Sequence, residues 1–272
     1  MIPKLRALPV RIHICLGVLL AMALASLLAG VIAPHDPVTI DIKNTLAPMS
    51  WDYPFGTDQL GRCLLSRCLY AIRLTFGVAL LIALLTIAVG SAIGVTAAYL
   101  GGLADQIVRI VSDASLSIPS MIFVILIVGF LGPGTENIIL AILLAQWVWY
   151  ARVARGLALR ITSYGYVRAA KLSGTGPVGI IVWHIFPGLV TQMVTQFTLL
   201  IGSTALSLAG FSFLGLGVQP PSAELGLMIS DGCELIQTHA WMMFWPSLTL
   251  IIPVACLNVI GDYFSDYWRS KQ

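Results

Sequence analysis

Charge is scarce in this sequence. Of the 272 residues, 10% are charged and 58% are hydrophobic, whereas a typical soluble domain is roughly 25% charged. A soluble core of this size could not bury so much apolar surface, so we predict that lipid surrounds much of the chain. The formal net charge is only +3, which gives no general attraction to nucleic acid, and no nucleic-acid partner is expected.

Signatures of metal and nucleotide binding are missing as well. The five cysteines form no CxxC pair and the histidines form no tract, so we expect no structural metal site. On a helix, the Cα atoms of Cys63 and Cys68 would be about 8 Å apart, which is too far for a disulfide. The pattern GxxxxGKS or GxxxxGKT, which holds ATP phosphates, does not occur. We therefore predict that the chain is not an enzyme and has no catalytic residue, bound cofactor or metal.

What the chain has instead is a series of long apolar runs. Six of them predict membrane-spanning helices, and the fourth is short but bounded by interfacial aromatic residues. The predicted segments are Ile12–Ala33, Leu74–Leu100, Leu116–Leu131, Asn137–Tyr150, Ile180–Ala209 and Phe244–Ile260. We predict an all-α integral membrane protein with one membrane domain over residues 12–272, preceded by a cytoplasmic N-terminal segment, residues 1–11.

The first apolar run has two interpretations. Lys4, Arg6 and Arg11 precede it, and the sequence VIA before Pro34 resembles a signal-peptide cleavage site. However, the run is longer than the roughly 7–15 residues of a signal-peptide core, and a proline directly after the cut is unfavourable. We therefore expect an uncleaved first helix, with a cleaved secretory signal as the alternative.

The distribution of lysine and arginine predicts the orientation in the membrane. With a cytoplasmic N-terminus, the inner segments hold eleven basic and four acidic residues, and the outer segments hold four basic and eight acidic residues. The opposite orientation inverts this bias and conflicts with the positive-inside rule. We therefore predict cytoplasmic N- and C-termini, long outer loops over residues 34–73 and 210–243, and a long inner loop over residues 151–179.

The inner loop contains a basic, glycine-broken stretch, YVRAAKLSGTGPVGIIVWHIFP, from Tyr166 to Pro187. Its first part consists largely of helix-tolerant residues, and GTGP then ends the helix because glycine is flexible and proline cannot continue a preceding helix. Pro177 suits the first turn of a new helix that leads into the fifth span. The pattern predicts a short helix across the membrane surface, a sharp turn and a re-entry helix, although topology alone would explain the positive charge.

Residues of this stretch resemble the EAA loop of ABC importer permeases. Arg168-Ala169-Ala170, then Gly174, then the ending HIFP at Pro187 match that loop, which reads Glu-Ala-Ala, a later Gly and an Ile-Leu-Pro-like ending. Arg168 stands in place of the usual Glu. In that family the loop forms a short helix that docks into a groove of the ATP-hydrolysing subunit, so the resemblance implies a coupling loop over residues 151–187.

Two further stretches resemble the second permease of dipeptide, oligopeptide and nickel importers. FGTDQLGRCLLSR, beginning at Phe55, is similar to the signature GTD-x-x-GRD-x-x-SR, with Cys63 where Asp is usual. AGFSFLGLGVQPPSAELGLMI, beginning at Ala209, followed by FWPSL and NVIGDYFSD, is similar to the C-terminal half of that subunit, with Leu225 where Trp is usual. Because the matches run in order over residues 34–266, the chain is identified as a member of this permease family.

The resemblance implies a fold, partners and a mechanism. The fold is that of type I ABC importer permeases, with six transmembrane helices and a cytoplasmic coupling helix. The partners are a second homologous permease subunit, two ABC ATPase subunits that use ATP and Mg²⁺, an extracytoplasmic solute-binding protein and the lipid of the bacterial inner membrane. The mechanism is alternating access, in which closure of the ATPase pair moves the coupling helices and, with them, the spans.

The residues expected to couple to the ATPase lie in the predicted short helix and its turn. Alanine is small enough to let a helix backbone approach a groove, and glycine permits the turn. The coupling residues are Arg168, Ala169, Ala170, Lys171, Leu172, Gly174 and Pro177. Ordinary loop packing is the alternative for each of them, and Arg152, Arg155 and Arg160 are interpreted as topological anchors.

A second group of residues is expected at the outer face, where it would organise an outer gate or contact the binding protein. This group is Asp58, Arg62, Arg67, Glu224 and Asp231. Asp58 is also a candidate N-cap for a helix within QLGRCLLSR. As alternatives, Arg62, Arg67 and Arg73 reach the interface or pair with Asp52 or Asp58, and the second outer loop is simply solvated.

Polar residues interrupt the fifth span. Polar groups within a membrane usually face a protein interior or a cavity, so these residues are candidates for the translocation pathway. The pathway candidates are Gln192, Thr195, Gln196 and Ser203. Hydrogen bonding between helices is the alternative explanation, and the same pair of interpretations applies to Thr198, Thr204, His184 and Asn258.

Three classes of function compete for this sequence. A stand-alone secondary transporter should carry ionisable groups near the membrane midplane, which the interiors of the predicted spans lack, and a structural membrane anchor does not account for the ordered signatures. We therefore favour a permease subunit that forms half of the translocation pathway of an ATP-driven importer. The stretches WVWYARVARGL, LSGTG and AGFSFLGLGV resemble the nickel or metal-chelate branch, so nickel or a metal–metallophore chelate is favoured over di- or oligopeptides.

Overall fold

The computed structural model describes residues 8–269, except for the side chains of Thr191 and Arg269. Lys4, Arg6 and Lys271, which contribute to the predicted orientation, lie outside this range, as does most of the N-terminal segment. The helices are α1 (Val10–Leu27), α2 (Ala29–Ile32), α3 (Leu64–Leu100), α4 (Gly102–Leu116), α5 (Ser120–Leu131), α6 (Thr135–Thr162), α7 (Gly165–Leu172), α8 (Pro177–Ile180), α9 (Phe186–Phe213), α10 (Leu225–Cys233) and α11 (Trp241–Arg269), with a 3₁₀ turn at Ile42–Asn44 and a π-helical turn at Ile181–Ile185.

Five of these helices, α1, α3, α6, α9 and α11, are long and apolar enough to cross a membrane. A sixth crossing forms if α4 and α5 are counted as one span, although the two helices are bent by 88° relative to each other. The prediction of an all-α integral membrane protein is therefore confirmed, with five continuous candidate spans and a sixth if the bent pair is counted as one.

The broken span corrects the third predicted segment, Leu116–Leu131. Pro119 stands immediately before α5 with a non-helical ψ of 124°, and proline disfavours helix at the residue before it, so the chain leaves α4 and restarts at Ser120. The 12 residues of α5 give about 18 Å of helix, which is short of the roughly 30 Å of a bilayer core. The amphipathic α4 precedes it at a steep angle and bears the charged residues Asp105, Arg109 and Asp113.

Several helices extend beyond the apolar segments that predict them. The 37-residue α3 begins at Leu64 rather than Leu74, and α6 continues to Thr162 rather than ending at Tyr150. Hydrophobicity marks where lipid begins, whereas helical backbone hydrogen bonding continues through polar residues that tolerate helix. The predicted outer loop 34–73 and inner loop 151–179 therefore each contain helix that projects from the membrane.

The first, fifth and sixth segments and the second outer loop also differ in detail. The predicted first segment is divided at Leu28, which separates α1 from α2, and α9 continues to Phe213. The predicted loop over residues 210–243 contains α10. The last helix, α11, is longer at both ends than Phe244–Ile260 and includes two prolines within its length.

The pairing of α3 with α6 is built on small residues. A Cβ atom at Gly90 would lie 2.7 Å from the carbonyl oxygen of Trp147, and one at Gly94 would lie 3.0 Å from the backbone nitrogen of Arg155. Ala151 of α6 is fully buried against this face. Close backbone approach at small residues is the usual basis of helix pairing in lipid, so this pair is the rigid centre of the bundle.

The two ends of the bundle carry different elements. One end, called the α7 end, contains a buried apolar cluster that joins α3, α6, α7, α8 and α9. The opposite end, called the α10 end, contains the loop between α2 and α3, the helix α10 and a second buried cluster that includes residues of α3, α9 and α11. The candidate coupling residues lie at the α7 end, and the candidate outer-face residues lie at the α10 end.

Candidate functional site

The short helix α7 and its turn have the predicted form. After α7, the backbone N–H of Ser173 donates to the Ala169 carbonyl at 2.9 Å, and that of Thr175 donates to the Ala170 carbonyl at 3.1 Å. Gly174 has a φ of +81°, a conformation that glycine adopts without strain. The next helix starts at Pro177, so the prediction of a short helix, a turn and a re-entry helix is confirmed.

One face of α7 is buried and the other is open. Val167 is fully buried in the apolar cluster of the α7 end, and it holds the helix against α6 and α8. Leu172 points away from the bundle, with 91% of its surface exposed. Of the seven predicted coupling residues, Ala170 is half-buried and six are exposed. These six residues, which the sequence predicts to couple to an ATPase subunit, form what we call the docking face: Arg168, Ala169, Lys171, Leu172, Gly174 and Pro177.

Side-chain contacts attach α7 to two other spans. The Lys171 ammonium lies 4.7 Å from the centre of the Tyr99 ring, near the end of α3, a cation–π contact. The Tyr166 hydroxyl donates a hydrogen bond of 3.3 Å to the carbonyl oxygen of His184, which belongs to the π-helical turn before α9. A helix that contacts α3, α6 and the entry to α9 is well placed to transmit a displacement to all three.

A polar cavity lies beside the first turns of α9. Its volume is about 410 Å³, and its walls come from α6, α9 and α11. The polar side chains in its lining are Arg152, Gln192, Thr195, Gln196 and Ser265. The Thr195 hydroxyl is buried and has no hydrogen-bond partner within the described part of the chain.

The structure therefore brings together three of the four pathway candidates. Gln192, Thr195 and Gln196 face the same cavity, whereas Ser203 lies further along α9 and donates to the carbonyl of Leu200 at 3.1 Å. Elsewhere on α9 the helix-bonding alternative holds, because the Thr204 hydroxyl donates to the Gln146 side chain of α6 at 3.3 Å.

Ion pairs hold α4 against α6 at the same end. The Arg155 guanidinium bonds Asp105, with 2.6 Å between Nη2 and Oδ2, and Arg152 pairs with Asp113. Arg160 donates to the Tyr164 hydroxyl at 3.2 Å. Two of the three arginines interpreted as topological anchors, Arg152 and Arg155, thus also fix the amphipathic helix α4 to α6 beside the cavity.

At the α10 end, the candidate residues of the first loop form a buried charge network. Asp58 accepts from the Arg62 Nε at 2.6 Å, and its Oδ2 lies 3.6 Å from the Arg67 Nε. Arg67 is 1% exposed and also donates to the Pro37 carbonyl at 3.1 Å. Of the three arginines expected to pair with Asp52 or Asp58, Arg62 and Arg67 therefore pair with Asp58. These ion pairs hold the loop onto α3.

The predicted N-cap role of Asp58 is wrong. The helix α3 begins at Leu64 with Cys63 at its N-cap position and no side-chain cap. Asp58 instead accepts from the backbone N–H groups of Leu60 and Arg62, both at 2.9 Å. Its carboxylate closes the turn before the helix, because a short acidic side chain bonds backbone donors a few residues ahead more readily than distant ones.

Glu224 and Asp231 join the second loop to the same region. Glu224 is fully buried, caps α10 by accepting from the Leu227 N–H at 2.9 Å, and accepts from the Thr75 hydroxyl at 3.0 Å. Burial raises the pKa of the Glu224 carboxyl. Burial also raises the pKa of Asp231, and the charges of Arg67 and Arg62 oppose that rise. A role of these residues in an outer gate or in binding-protein contact stays a prediction.

Histidine, cysteine and acidic side chains do not cluster in the described residues 8–269 in any group of three or more that could hold a metal ion.

Comparison with known proteins identifies the family. Residues 90–271 match the family model of the binding-protein-dependent transport system inner membrane component. The chain belongs to this family. It is a membrane-spanning permease component of an ABC importer and a multi-pass protein of the inner membrane. The predicted family and fold are thereby confirmed.

Individual relatives cover nearly the whole permease. It is 38% identical over 256 residues to the nickel transport system permease protein NikC of Escherichia coli strain K12, which covers 94% of this chain and 92% of that protein. It is 34% identical over 249 residues to the metal-staphylopine import system permease protein CntC of Staphylococcus aureus strain NCTC 8325, with 92% and 86% covered. It is 33% identical over 254 residues to the dipeptide transport system permease protein DppC of Haemophilus influenzae, with 91% and 86% covered.

Sequence reasoning missed the contacts that attach the docking face of the permease to its spans. Tyr99 and Tyr166 carry no motif, and their roles depend on which residues the fold places beside them. The π-helical turn before α9 had one signal, Pro187, which lacks the N–H that a regular helix would need there. That signal indicates an irregularity but not its form.

Proposed function

We propose that this permease forms half of the translocation pathway for nickel or a metal–metallophore chelate, and that ATPase subunits drive it through the docking face. The observation that carries the proposal is the connection of the exposed α7 to the spans that line the polar cavity. The exposed side of α7 can bind in a groove of a soluble partner. Its other side contacts α3, α6 and the entry of α9.

The proposed orientation places the α7 end in the cytoplasm, with both chain termini on that side. Eight of the eleven basic residues assigned to the inner side fall within the described range. Six of these eight belong to α4, α6 and α7: Arg109, Arg152, Arg155, Arg160, Arg168 and Lys171. The positive-inside rule favours this arrangement. The α10 end, with its acidic second loop, then faces the solute-binding protein.

The proposed partners are a second homologous permease, two ABC ATPase subunits and an extracytoplasmic solute-binding protein. ATP and Mg²⁺ are used by the ATPase subunits, and this chain acts without a bound cofactor and without catalysis of its own. The cavity at the α7 end is lined by α6, α9 and α11 of this chain, and the second permease would supply the other half of the pathway. Family membership supports an importer of this general kind, and the number and type of the partner subunits are part of the proposal.

The proposed mechanism is alternating access. ATP closes the ATPase pair and displaces both docking faces, and the spans then open outward; hydrolysis returns the inward-facing state. Because a switch responds only to a difference in contact free energy between its states, the docking face must fit the ATPase differently in the open and closed dimers. The rigid α3–α6 pair transmits the displacement, while the entry of α9 adjusts.

The lining of the cavity bears on the cargo. Amide, hydroxyl and guanidinium groups donate and accept hydrogen bonds, and a chelate with carboxylate or amino groups offers matching partners. A bare nickel ion would instead need imidazole, thiolate or carboxylate ligands. The lining thus favours a chelate over a free ion. The relatives NikC and CntC, named for nickel and metal-staphylopine transport, support the metal branch.

Import of di- or oligopeptides by the same mechanism is the second candidate. The same amide and hydroxyl groups can bond a peptide backbone, and one relative at 33% identity is named a dipeptide permease. A stand-alone secondary transporter is the remaining, less favoured class. Transport by the purified chain in vesicles without any ATPase would establish that class and overturn the ATP-driven proposal.

Uptake in cells with and without the gene tests the cargo. Radioactive nickel is supplied alone, with excess histidine as a model chelator, or with a siderophore-like aminocarboxylate, and a radiolabelled dipeptide is supplied in parallel. We expect gene-dependent uptake of nickel that increases when the chelator is present. If the gene increases uptake of the dipeptide but not of nickel, the metal cargo is wrong and the permease belongs to the peptide branch.

A further inference from the structure

The docking helix is joined directly to the entry of the cavity-lining helix. The Tyr166 hydroxyl of α7 donates to the His184 carbonyl oxygen at 3.3 Å, across 18 residues of sequence. The two aromatic rings are also stacked, with 6.5 Å between centroids and 23° between planes. Tyr166 is half exposed, so the contact lies at the rim of the bundle and not in its core.

The acceptor lies in an irregular part of the bundle. His184 belongs to the π-helical turn over Ile181–Ile185, and π turns within α-helices are frequent at functional sites. Pro187, in the first turn of α9, lacks the backbone N–H that would bond the preceding turn. The segment between α8 and α9 therefore has fewer constraining hydrogen bonds than a regular helix, so its geometry depends more on contacts from outside.

The π-helical turn leads directly into the polar wall of the pathway. Gln192, Thr195 and Gln196 lie within the first three turns of α9 and line the cavity. The other attachments of α7 are not hydrogen bonds to the α9 entry. Lys171 contacts the Tyr99 ring of α3, and Val167 packs in the apolar cluster that also includes Ile185 of the π-helical turn and residues of α3, α6, α8 and α9. Tyr166 is thus the side chain of α7 whose hydrogen bond reaches the α9 entry within the described residues.

We infer that Tyr166 is a positioning residue for transport: its hydroxyl fixes the π-helical turn to the docking helix, so that displacement of α7 moves the cavity-lining part of α9. The inference rests on the proposed function, because it requires α7 to be displaced by a nucleotide-driven partner. The inference adds one specific contact, the Tyr166–His184 hydrogen bond, to the proposed mechanism. Tyr166 is not among the coupling residues that the sequence predicts.

The test compares Tyr166→Phe with Tyr164→Phe. The control is closely matched, because Tyr164 is two residues away, is similarly exposed, and its hydroxyl accepts from the Arg160 Nε at 3.2 Å instead of bonding the α9 entry. The full importer, with its ATPase subunits and binding protein, is reconstituted in liposomes, and radioactive nickel transported per ATP hydrolysed is measured with histidine present. The loss of one such hydrogen bond should lower this ratio roughly two- to tenfold in Tyr166→Phe and leave it unchanged in Tyr164→Phe.

A second measurement does not depend on the cargo. Gln196→Cys is introduced with Cys233→Ser, since Cys233 is an exposed thiol, and the rate of maleimide labelling is compared with and without ATP. We expect ATP to change the labelling rate in the parent protein, and the change to shrink by a similar factor when Tyr166→Phe is added. Adding Tyr164→Phe should leave the change intact.

Three results would overturn the inference. Equal ratios and equal labelling responses in the two phenylalanine variants would show that the Tyr166 hydroxyl transmits nothing. Fewer assembled importers in Tyr166→Phe, with an unchanged ratio, would show a purely structural role. No ATP-dependent labelling change in the parent protein would remove the proposed function together with the inference. An ATP-dependent labelling change without nickel transport would overturn only the proposed cargo. The role of Tyr166 would then be decided by comparing the labelling responses of the two phenylalanine variants.

Discussion

Replacement of Gly174 by proline changes the backbone of the turn that follows the docking helix. The φ of Gly174 is +81°, whereas proline fixes φ near −65°. Its N–H also donates to the Lys171 carbonyl at 3.2 Å, and proline has no N–H. The turn must therefore rearrange, with the loss of a hydrogen bond that contributes about 0.5–1.5 kcal/mol in addition to the conformational strain.

Two further variants separate strain from loss of docking. A Cβ at Gly174 would meet no atom within 4 Å, so Gly174→Ala carries only the cost of a positive φ, about 1–2 kcal/mol, and should retain part of the coupling. Gly132→Pro is the matched control, because Gly132 has a φ of +88° and donates to the Val128 carbonyl at 2.8 Å, but lies after α5, away from α7.

The assay measures ATP hydrolysis by the reconstituted importer with and without cargo-loaded binding protein, and the amount of permease in the membrane fraction. We expect Gly174→Pro to abolish the stimulation and leave insertion intact, because α7 lies outside the spans. Gly174→Ala should be intermediate, and Gly132→Pro should be stimulated normally. Normal stimulation and transport in Gly174→Pro would refute the assignment of α7 as the coupling element.

Three other perturbations test separate parts of the structure. Leu172→Asp, at a 91% exposed position, should fold normally but recover roughly tenfold less ATPase subunit on co-purification, since an apolar contact of this size contributes about 1.5–3 kcal/mol; equal recovery would exclude Leu172 from the interface. Gly94→Leu should lower the midpoint of thermal unfolding in detergent, because its Cβ would collide with the Ala151 backbone and overpacking costs about 1–3 kcal/mol; an unchanged midpoint would contradict the close α3–α6 pairing. Glu224, whose pKa is raised by burial, contributes stability that is present below its ordinary value of about 4.5 and is lost as pH rises through the raised value. The thermal stability of the parent protein should therefore increase as the pH falls through the raised pKa of Glu224. In Glu224→Gln, thermal melts across the same pH range should show a smaller increase. The same pH dependence of stability in both proteins would contradict the raised pKa.

The sequence predicts the membrane class, the number of apolar segments and the location of the short loop helix, because each depends on local chemistry. Hydrophobic length alone indicates a span, and GTGP alone indicates the break after Leu172. The third span shows the limit of this reasoning. Pro119 within the predicted segment signals a break, but it does not give the 88° angle between α4 and α5. The ion pairs that hold α4 against α6 involve Arg152 and Arg155, which are distant in sequence.

The candidate site was predictable to a smaller extent. The exposure of the docking face follows from a polar helix between two spans, and three of the four pathway candidates share one face of a single helix. The bonds of Asp58 and the contact of Tyr166 with His184 could not be inferred, because they are set by which loops and helices the fold brings together. Even the incorrect N-cap assignment of Asp58 had the right chemistry, a carboxylate that accepts backbone N–H groups, at the wrong structural element.

Photo-crosslinking from the docking face tests the central claim most directly. A photoreactive amino acid is placed at Leu172 and, as a control at the α10 end, at the fully exposed Trp51, in cells that produce the whole importer. The account predicts crosslinks from position 172 to an ATPase subunit and none from position 51. Crosslinks of the ATPase to other parts of the permease, with position 172 unreacted, would contradict it.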